Sequence, residues 1–242
     1  SREEILTNLE KKLNKKDIFE FKNFLERRSK NEPIAYILGE KEFWSKKFNV
    51  TKETLIPRPE TELLVDKLLN LYKEKNITIL DIGTGSGCII LSLLSELKYS
   101  VGTAIDISEK ALLIAKKNAI KHKLSNRVKF LNRSIENLFS IKFDLIVSNP
   151  PYIERNKIKN LSNDIKKYEP RMALDGGNDG LDLIKKVIYK AKVILKTNGT
   201  LALEIGNEQD RQVSKILIEN NFKVKHVIKD YKDNTRCVIA KF

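Results

Sequence analysis

The feature that most constrains this chain begins at residue 77, where short apolar runs start to alternate with segments of helical periodicity. The alternation predicts a parallel sheet with helices on both faces, because parallel strands need a helix-length crossover between them. The last two predicted strands are close enough in sequence to pair as an antiparallel hairpin across residues 229–235. The fold class is therefore α/β, with a mostly parallel seven-stranded sheet. The predicted strands are 77–81, 101–106, 128–131, 143–148, 200–205, 222–228 and 236–241, and the helices between them are 88–97, 109–122, 181–196 and 208–220.

Two of the predicted helices have a candidate N-cap residue and an apolar stripe. Ser108 is predicted to be the N-cap of helix 109–122, because its hydroxyl can accept a hydrogen bond from the first turn. Thr61 is predicted to cap a further helix that runs to about Tyr72. The buried stripes are predicted to be Ala111, Ile114, Ala115 and Ala119 in the first helix, and Leu63, Leu64, Leu68 and Leu71 in the second.

The segment before residue 61 has a different pattern, in which apolar residues at helical spacing predict two short helices. Aromatic and β-branched pieces at 42–44 and 47–50 then predict a hairpin, and the prolines of 56–59 favour an extended chain. We expect three domains: a short helical domain at 1–38, a linking segment at 39–60 and a main domain at 61–242. The residues that define the two helices are Ile5, Leu6, Leu9 and Leu13, and then Ile18, Phe21, Phe24 and Leu25.

Composition limits the classes of protein that fit. Of the 242 residues, 41% are hydrophobic, as in a globular protein. No apolar run approaches the ~20 residues that cross a bilayer, so we expect no membrane partner. The charged N-terminus, without an apolar stretch behind it, favours the cytoplasm. Only Cys88 and Cys237 occur, outside any CxxC pattern, which indicates neither a disulfide framework nor a metal site.

The net charge of +14 is carried by lysines that are spread along the chain. A general compositional bias explains this charge as well as a nucleic-acid site does. We therefore expect that nucleic acid is not a required partner, although an indirect contact is compatible with the charge. The chain is expected to be a monomer.

The segment Asp81-Ile82-Gly83-Thr84-Gly85-Ser86-Gly87 lies between a predicted strand and a predicted apolar helix. Glycines at this junction let the backbone turn sharply and approach a ligand closely, which is typical of a nucleotide-type cofactor loop. The next strand ends at Asp106, whose carboxylate can accept hydrogen bonds from both hydroxyls of a ribose. These two features do not distinguish a nicotinamide cofactor from S-adenosylmethionine. A tight glycine turn with an aspartate helix cap is the structural alternative.

The fourth predicted strand runs directly into Asn149-Pro150-Pro151-Tyr152. Ligands of open α/β sheets bind outside the carboxyl ends of such strands, so the motif is expected at the same rim as the glycine loop. Consecutive prolines lack N–H groups and have a fixed φ, which leaves nearby carbonyls available to an outside NH2 group. A chance proline-rich loop is the alternative.

Asn149, Pro150 and Tyr152 are the predicted catalytic residues. The side-chain oxygen of Asn149 and the carbonyl of Pro150 would accept from one NH2 group and orient its nitrogen towards a sulfonium methyl. Tyr152 would stack on the flat substrate group. Methyl transfer of this kind needs positioning more than it needs a strong base.

Further segments extend the pattern along nearly the whole chain from Glu32 onward. They are 32–39, 42–44, 55–62, the glycine loop, Ser148-Asn149-Pro150-Pro151-Tyr152, Tyr168-Glu169-Pro170, Leu203-Glu204-Ile205-Gly206 and 230–234. In this order, the segments resemble the protein-(glutamine-N5) methyltransferases that modify peptide chain release factors. A series of segments in order is far more specific than any one of them.

The resemblance implies a class I methyltransferase fold of the Rossmann-like kind, with S-adenosylmethionine as the cofactor. Peptide chain release factors are the implied partners, and the side-chain amide N5 of the glutamine in their Gly-Gly-Gln motif is the implied methyl acceptor. The loop glycines would line the methionine part of the cofactor, and Asp106 the ribose. The cofactor-binding residues are then Asp81, Gly83, Thr84, Gly85, Ser86, Gly87, Asp106, Ile135 and Asn149, and the substrate-binding residues Asn149, Pro150, Pro151, Tyr152 and Arg58.

The chain departs from the family pattern in two places. Ser134-Ile135 stands where members commonly carry an acidic residue followed by an aromatic one near the adenine. We therefore expect the adenine contact through Ile135 to be apolar. The helical region before Glu32 is also shorter than the usual N-terminal domain, which helps to grip the release factor.

Other candidate residues lie outside these motifs. Arg58 stands between two prolines and is expected to face solvent or substrate. Phe43 and Trp44 either border the cleft or pack within the hairpin. His122 and His226 lie in a predicted helix end and a terminal strand, and neither is assigned a catalytic role.

Three other functions remain open. The Asn-Pro-Pro-Tyr motif and the charge also fit an N6-adenine methyltransferase of DNA or RNA, but the chain has no recognisable target-recognition domain. A non-catalytic cofactor-binding module is favoured only by the short N-terminal region. A nicotinamide dehydrogenase fits poorly, because nothing after the fourth strand resembles a hydride-transfer acid or base.

Overall fold

A seven-stranded sheet forms the centre of the molecule, for which the computed structural model describes residues 6–8, 10, 12–138 and 141–242. The strands are β1 (Glu40–Phe43), β2 (Lys46–Asn49), β3 (Thr78–Ile82), β4 (Val101–Asp106), β5 (Val128–Asn132), β6 (Phe143–Ser148), β7 (Leu195–Glu204), β8 (Lys223–Lys229) and β9 (Thr235–Lys241). In the large sheet their order is β5-β4-β3-β6-β7-β9-β8. Neighbours from β5 to β7 are parallel, whereas β9 is antiparallel to both β7 and β8.

The predicted fold class, mostly parallel with a C-terminal antiparallel hairpin, is confirmed. Strands β4 and β5 are added on one side of β3, and β6 and β7 on the other side. The direction of strand addition therefore reverses between β3 and β6. A reversal of this kind opens a crevice at the carboxyl ends of the two strands, where ligands bind in such sheets.

Helices cover both faces of this sheet, and the side chains of β3 alternate between two cores. Ile79 packs in one core with Leu64 and Leu68. Leu80, the next residue, packs in the other core with Ile184 and Ile188. The helices are α1 (Lys15–Ser29), α2 (Ile34–Leu38), α3 (Thr61–Tyr72), α4 (Cys88–Glu96), α5 (Glu109–Lys121), α6 (Asn163–Tyr168), α7 (Asp182–Ile194) and α8 (Asp210–Glu219).

The largest boundary error concerns the junction of α7 and β7, where the sequence predicts a helix to residue 196 and a strand from residue 200. The helix ends at Ile194 and the strand begins at Leu195. Leu195 is buried and pairs with Phe143, and the register then shifts before the regular pairing resumes. The buried Leu195 pairs with the sheet ahead of the polar residues that follow it. These polar residues therefore belong to an irregular part of the strand.

The two predicted helix starts have different outcomes. Ser108 caps α5 as predicted, with its hydroxyl accepting a hydrogen bond from the N–H of Ala111. The prediction that Thr61 caps α3 is wrong, since Thr61 is the first helical residue and Glu60 is the N-cap without a side-chain bond. The hydroxyl of Thr61 instead donates to the buried carboxylate of Glu204. The α5 stripe is buried as predicted, whereas α3 buries Leu64 and Leu68 but only partly buries Leu63 and Leu71.

The N-terminal region agrees only in part with the prediction. The second predicted helix is present as α1, but none of its residues is buried, and Ile18, Phe21 and Leu25 are exposed. In the first predicted helix, Leu6 is helical, Leu13 is not, and Ile5 and Leu9 lie outside the described residues. The domain boundaries stay a prediction.

The predicted hairpin is present as β1 and β2. Trp44 and Ser45 at its turn have φ values of 51° and 53°, the left-handed backbone that a tight two-residue hairpin turn needs. Phe43 and Phe48 are buried and pack edge to face. Phe43 therefore has the packing role rather than a place at the cleft.

Of the helices in the described ranges, none is both long and apolar enough to cross a membrane. The same ranges contain no cluster of His, Cys, Asp and Glu side chains that could hold a metal ion.

Candidate active site

A cavity of about 320 Å³ opens at the carboxyl ends of β3, β4 and β6. One wall is the glycine loop, a second is the end of β4 with residues 133–135, and a third is the segment 149–151. Residues 53–55, 57–58, 170 and 172–173 also line the cavity. The volume lies within the range of small-molecule sites, at the topological position where such sheets bind ligands. Of the predicted site residues, those that line it are Arg58, Gly83, Thr84, Gly85, Ser86, Asp106, Ile135, Asn149, Pro150 and Pro151.

The glycine loop turns because its backbone is left-handed at three positions. The φ values of Gly83, Gly85 and Gly87 are 69°, 54° and 80°, a region that other residues adopt at a cost. The N–H groups of Gly83 and Thr84 both donate to the carbonyl of Ile105, which fixes the turn against β4. Gly87 does not line the cavity. A side chain there would meet Leu91 and Ala115, so this glycine lets α4 and α5 approach each other.

Asp81 lies behind the glycine loop and is not among the cavity residues. Its Oδ2 accepts a hydrogen bond of 2.7 Å from the Thr84 hydroxyl, while Oδ1 is buried with no partner among the described residues. Burial raises the pKa of Asp81 to about 7. The carboxyl group of Asp81 therefore stabilises the glycine loop through Thr84, from outside the cavity.

Asp106 is fixed at the cavity wall by two backbone groups. Its Oδ2 accepts from the N–H of Gly85 and its Oδ1 from the N–H of Ser108, each at 2.9 Å. Burial raises the pKa of this carboxyl group. Each carboxylate oxygen can accept more than one hydrogen bond, so both remain able to receive a hydroxyl. Ile135 lies beside this wall as a buried apolar contact.

Asn149 and Pro150 bring two free acceptors to the same cavity. Asn149 Nδ2 donates to Thr61 Oγ1 at 3.4 Å, whereas Asn149 Oδ1 accepts no hydrogen bond within the described ranges. The carbonyl of Pro150 likewise has no donor among those residues. The wall opposite the glycine loop can therefore accept hydrogen bonds from a ligand.

Tyr152 leaves the larger cavity and lines a neighbouring one of about 140 Å³, together with Arg58 and Asn149. Its hydroxyl donates to Glu204 Oε1 at 3.4 Å, and its carbonyl accepts from Gln209 Nε2 at 3.1 Å. Burial raises the pKa of Tyr152. Tyr152 is thus held through its hydroxyl and through its backbone carbonyl, and the stacking of its ring on a substrate stays a prediction.

Arg58 lines both cavities but is not a free charge. Its guanidinium donates to Glu169 Oε1 at 2.5 Å, and Glu169 Oε2 accepts from the N–H of Ile56 at 3.2 Å. The Glu169 side chain is 1% exposed, so a buried carboxylate anchors the arginine to the cavity wall. Sequence reasoning placed Glu169 in a matching segment and gave it no role, since its partner is 111 residues away.

Glu204 is the second residue that sequence reasoning missed. It ends β7, is 2% exposed, and lines neither cavity. Its Oε2 accepts from Thr61 Oγ1 at 2.6 Å. Burial raises the pKa of Glu204 to about 7, although hydrogen bonds from Thr61, Tyr152 and Asn149 favour the charged form. The available signal was one carboxylate directly after the apolar run Leu201-Ala202-Leu203.

Asn118 connects the β1–β2 hairpin to the glycine loop. This fully buried residue on α5 accepts from the N–H of Asn49 at 2.7 Å. Its Nδ2 donates to the carbonyls of Asn49 and Ser86, at 3.0 and 2.9 Å. One side chain therefore satisfies three backbone groups.

Replacing Asn118 with alanine is expected to lower the free energy of unfolding by about 3 kcal/mol, because buried backbone groups lose their partners. Urea unfolding followed by circular dichroism measures this change. Lys117→Ala, on the exposed face of the same helix, is the control and should change stability by less than about 0.5 kcal/mol. Equal stability of the two variants would contradict the bridging role.

Comparison with known proteins decides the family. Residues 73–239 match the Methyltransferase domain family, and residues 1–39 match the PrmC N-terminal domain family. A release factor glutamine methyltransferase from Caulobacter vibrioides is 37% identical over 242 residues, covering 99% of this chain and 84% of the relative. This chain belongs to the release factor glutamine methyltransferase family. The predicted family resemblance is thereby confirmed.

Some relatives of this chain are about twice as long. A bifunctional methyltransferase from Rickettsia bellii is 41% identical over 264 residues, which are 98% of this chain but 48% of that protein. The chain spans about half the length of the Rickettsia relatives that it matches. Among solved structures, a methyltransferase from Pyrococcus furiosus has a TM-score of 0.62 at 19% identity, covering 90% of this chain and 98% of that one. This likeness supports the fold.

Proposed function

We propose that the chain binds S-adenosylmethionine in the larger cavity and transfers its methyl group to a release-factor glutamine. The acceptor is the side-chain amide nitrogen N5 of the glutamine in the Gly-Gly-Gln motif. The observation that carries the proposal is that Asn149 and Pro150 line the same cavity as the glycine loop, and that Asn149 Oδ1 and the Pro150 carbonyl have no donor among the described residues. Family membership supports this acceptor over the others.

The residues of the cavity fit S-adenosylmethionine. The Asp106 carboxylate, already fixed by two N–H groups, has acceptor capacity left for the ribose hydroxyls. Ile105, Ile107 and Ile135 supply an apolar surface for the adenine. The left-handed loop from Gly83 lets the backbone approach the methionine part closely. When bound, the cofactor would supply an electrophilic methyl group and leave as S-adenosylhomocysteine, while the acceptor nitrogen gives up one proton.

The residues of the chain act on the acceptor by positioning it. An amide nitrogen is a poor nucleophile because its lone pair is conjugated with the carbonyl. Two acceptors that hold both N–H groups of one NH2 favour the geometry in which this conjugation weakens, and they stabilise the positive charge that develops on nitrogen. Asn149 and Pro150 supply such a pair.

Mass spectrometry tests the proposal. The protein is incubated with S-adenosylmethionine and a release factor, and the peptide that contains Gly-Gly-Gln is examined for one added methyl group on glutamine. A release factor with alanine in place of that glutamine is the matched control and should stay unmodified. DNA and RNA are tested in parallel, because an N6-adenine methyltransferase is the rival. Methylated nucleic acid with unmodified release factor would refute the glutamine proposal.

The remaining expectations extend this proposal. We propose that residues 1–38, which overlap the match to the PrmC N-terminal domain family, contribute to docking the release factor. We also propose that the protein is a monomer and that it acts in the cytoplasm. Size-exclusion chromatography with light scattering tests the first of these two.

A further inference from the structure

Glu204 is a buried carboxylate that forms no ion pair within the described residues, although the charge of Arg236 acts to lower its pKa. Arg236 itself pairs with Asp230 at 2.8 Å. A buried charge is costly unless hydrogen bonds replace its water. Thr61 and Tyr152 donate these hydrogen bonds from α3 and from the Asn-Pro-Pro-Tyr segment.

The hydrogen bonds at Glu204 have only one possible direction. An ionised carboxylate accepts and never donates, so the single hydroxyl hydrogen of Thr61 points to Glu204 Oε2, 2.6 Å away. The Thr61 oxygen then has only lone pairs for its next neighbour, the Asn149 amide at 3.4 Å. That neighbour must be a donor, which places Asn149 Nδ2 towards Thr61 and leaves Oδ1 for the cavity.

We propose that Glu204 is a positioning residue that fixes, through Thr61, the orientation of the Asn149 amide and so presents an acceptor to the substrate NH2 group. This inference rests on the proposed function. Glu204 lines neither cavity, so it would touch neither cofactor nor substrate. The preference for an NH2 group as the methyl acceptor would nevertheless depend on it.

Glu204→Gln is the critical variant. It keeps the shape of the side chain, but the Thr61 hydroxyl no longer has to donate its hydrogen to residue 204. A glutamine NH2 can donate to Thr61, whose hydroxyl is then free to donate to Asn149. In that arrangement the Asn149 amide turns and presents its own NH2 to the substrate NH2, and two donors face each other. We expect kcat to fall roughly 10- to 100-fold, the loss typical of a hydrogen bond to a charged group. The Kd for S-adenosylmethionine, measured by calorimetry, should stay within a few-fold of wild type.

Variants at Thr61 separate positioning from a direct role of Glu204. Thr61→Val removes the hydrogen bonds that link Glu204 to Asn149 through Thr61 and leaves the carboxylate in place, so it should lose activity to a similar degree if this link sets the orientation of the amide. Thr61→Ser keeps a hydroxyl and should retain several-fold more activity than Thr61→Val. If Glu204→Gln were impaired and Thr61→Val were fully active, Glu204 would act directly and the positioning role would be overturned.

The pH profile supplies a readout that a merely structural role would not change. The pKa of Glu204 lies at about 7, and below it the protonated carboxyl can donate, so the fixed direction is lost. Activity should therefore fall as pH drops through about 7. Of the groups that face Glu204, Tyr152, Cys88 and Cys237 have pKa values raised by burial and stay neutral in this range, and Arg236 stays charged.

Asp81 also has a pKa raised to about 7, so the acid limb of wild type does not by itself identify Glu204. The pH profile of Glu204→Gln distinguishes the two carboxyl groups. If Glu204 causes the loss of activity at low pH, this variant should show a low activity that does not change with pH. A limb that persists unchanged in Glu204→Gln, or full activity of this variant in a folded state that binds cofactor, overturns the inference and leaves the proposed function intact. A wild-type protein that leaves the release-factor glutamine unmodified overturns the proposed function itself.

Discussion

Replacing Asn149 with alanine is expected to lower kcat for glutamine methylation roughly 100- to 1,000-fold, the range seen when one preorganised hydrogen-bonding group is removed from a site of developing charge. Asn149 lines the cavity and its Oδ1 has no partner among the described residues, so this oxygen can accept a hydrogen bond from the acceptor nitrogen. Without it, the Pro150 carbonyl alone holds the NH2 group. Steady-state kinetics with a release factor as substrate measure the change.

Asn70→Ala is the matched control for this variant, since Asn70 is exposed on α3. It should keep wild-type activity. Both proteins should unfold at similar temperatures, and Asn149→Ala should still bind S-adenosylmethionine within about tenfold of wild type. An Asn149→Ala protein with near-normal kcat would rule out the proposed acceptor pair.

Replacing Asp106 with alanine is expected to weaken S-adenosylmethionine binding roughly 10- to 150-fold, because hydrogen bonds to a charged group contribute about 1.5–3 kcal/mol. The carboxylate also holds the N–H of Gly85, so its removal loosens the loop that faces the cofactor. Isothermal titration calorimetry measures the Kd. Asp106→Asn keeps the size of the side chain and one acceptor oxygen, and we expect an intermediate Kd.

Asp66→Ala on the exposed face of α3 is the charge-matched control. It should bind S-adenosylmethionine like wild type. If Asp106→Ala also bound it with unchanged affinity while remaining folded, the cofactor would not lie against this carboxylate. The glycine loop would then need a different ligand.

Much of the fold was predictable because its signals are local. The alternation of apolar runs with helical periods identified the strands of the large sheet, and the boundaries of β4 and β6 agree to the residue. Ser108 was identified as a cap from its place ahead of an apolar stripe, because capping involves the next few residues. The junction at Leu195 was missed, because a single apolar residue joins the sheet through a partner 52 residues away.

Part of the site was also predictable. The glycine spacing predicted a sharp turn, and the backbone is left-handed at Gly83 and Gly85, where few other residues are tolerated. Because parallel strands end at the same rim, Asp106 and Asn149 were expected near this turn, and all of them line one cavity. Gly87 and Asp81 belong to the same motif but support the loop from outside the cavity.

The amino-acid sequence was thus sufficient to predict the elements of the sheet and many of the residues that line the cavity. The polar partners that support these residues became visible only in the folded molecule. Thr61 and Glu204 are 143 residues apart, and Arg58 and Glu169 are 111 apart. Backbone periodicity and turn chemistry act over a few residues and can be read from one chain. The partner of a buried carboxylate is set by how distant elements pack, because hydrogen bonds must be found wherever water has been excluded.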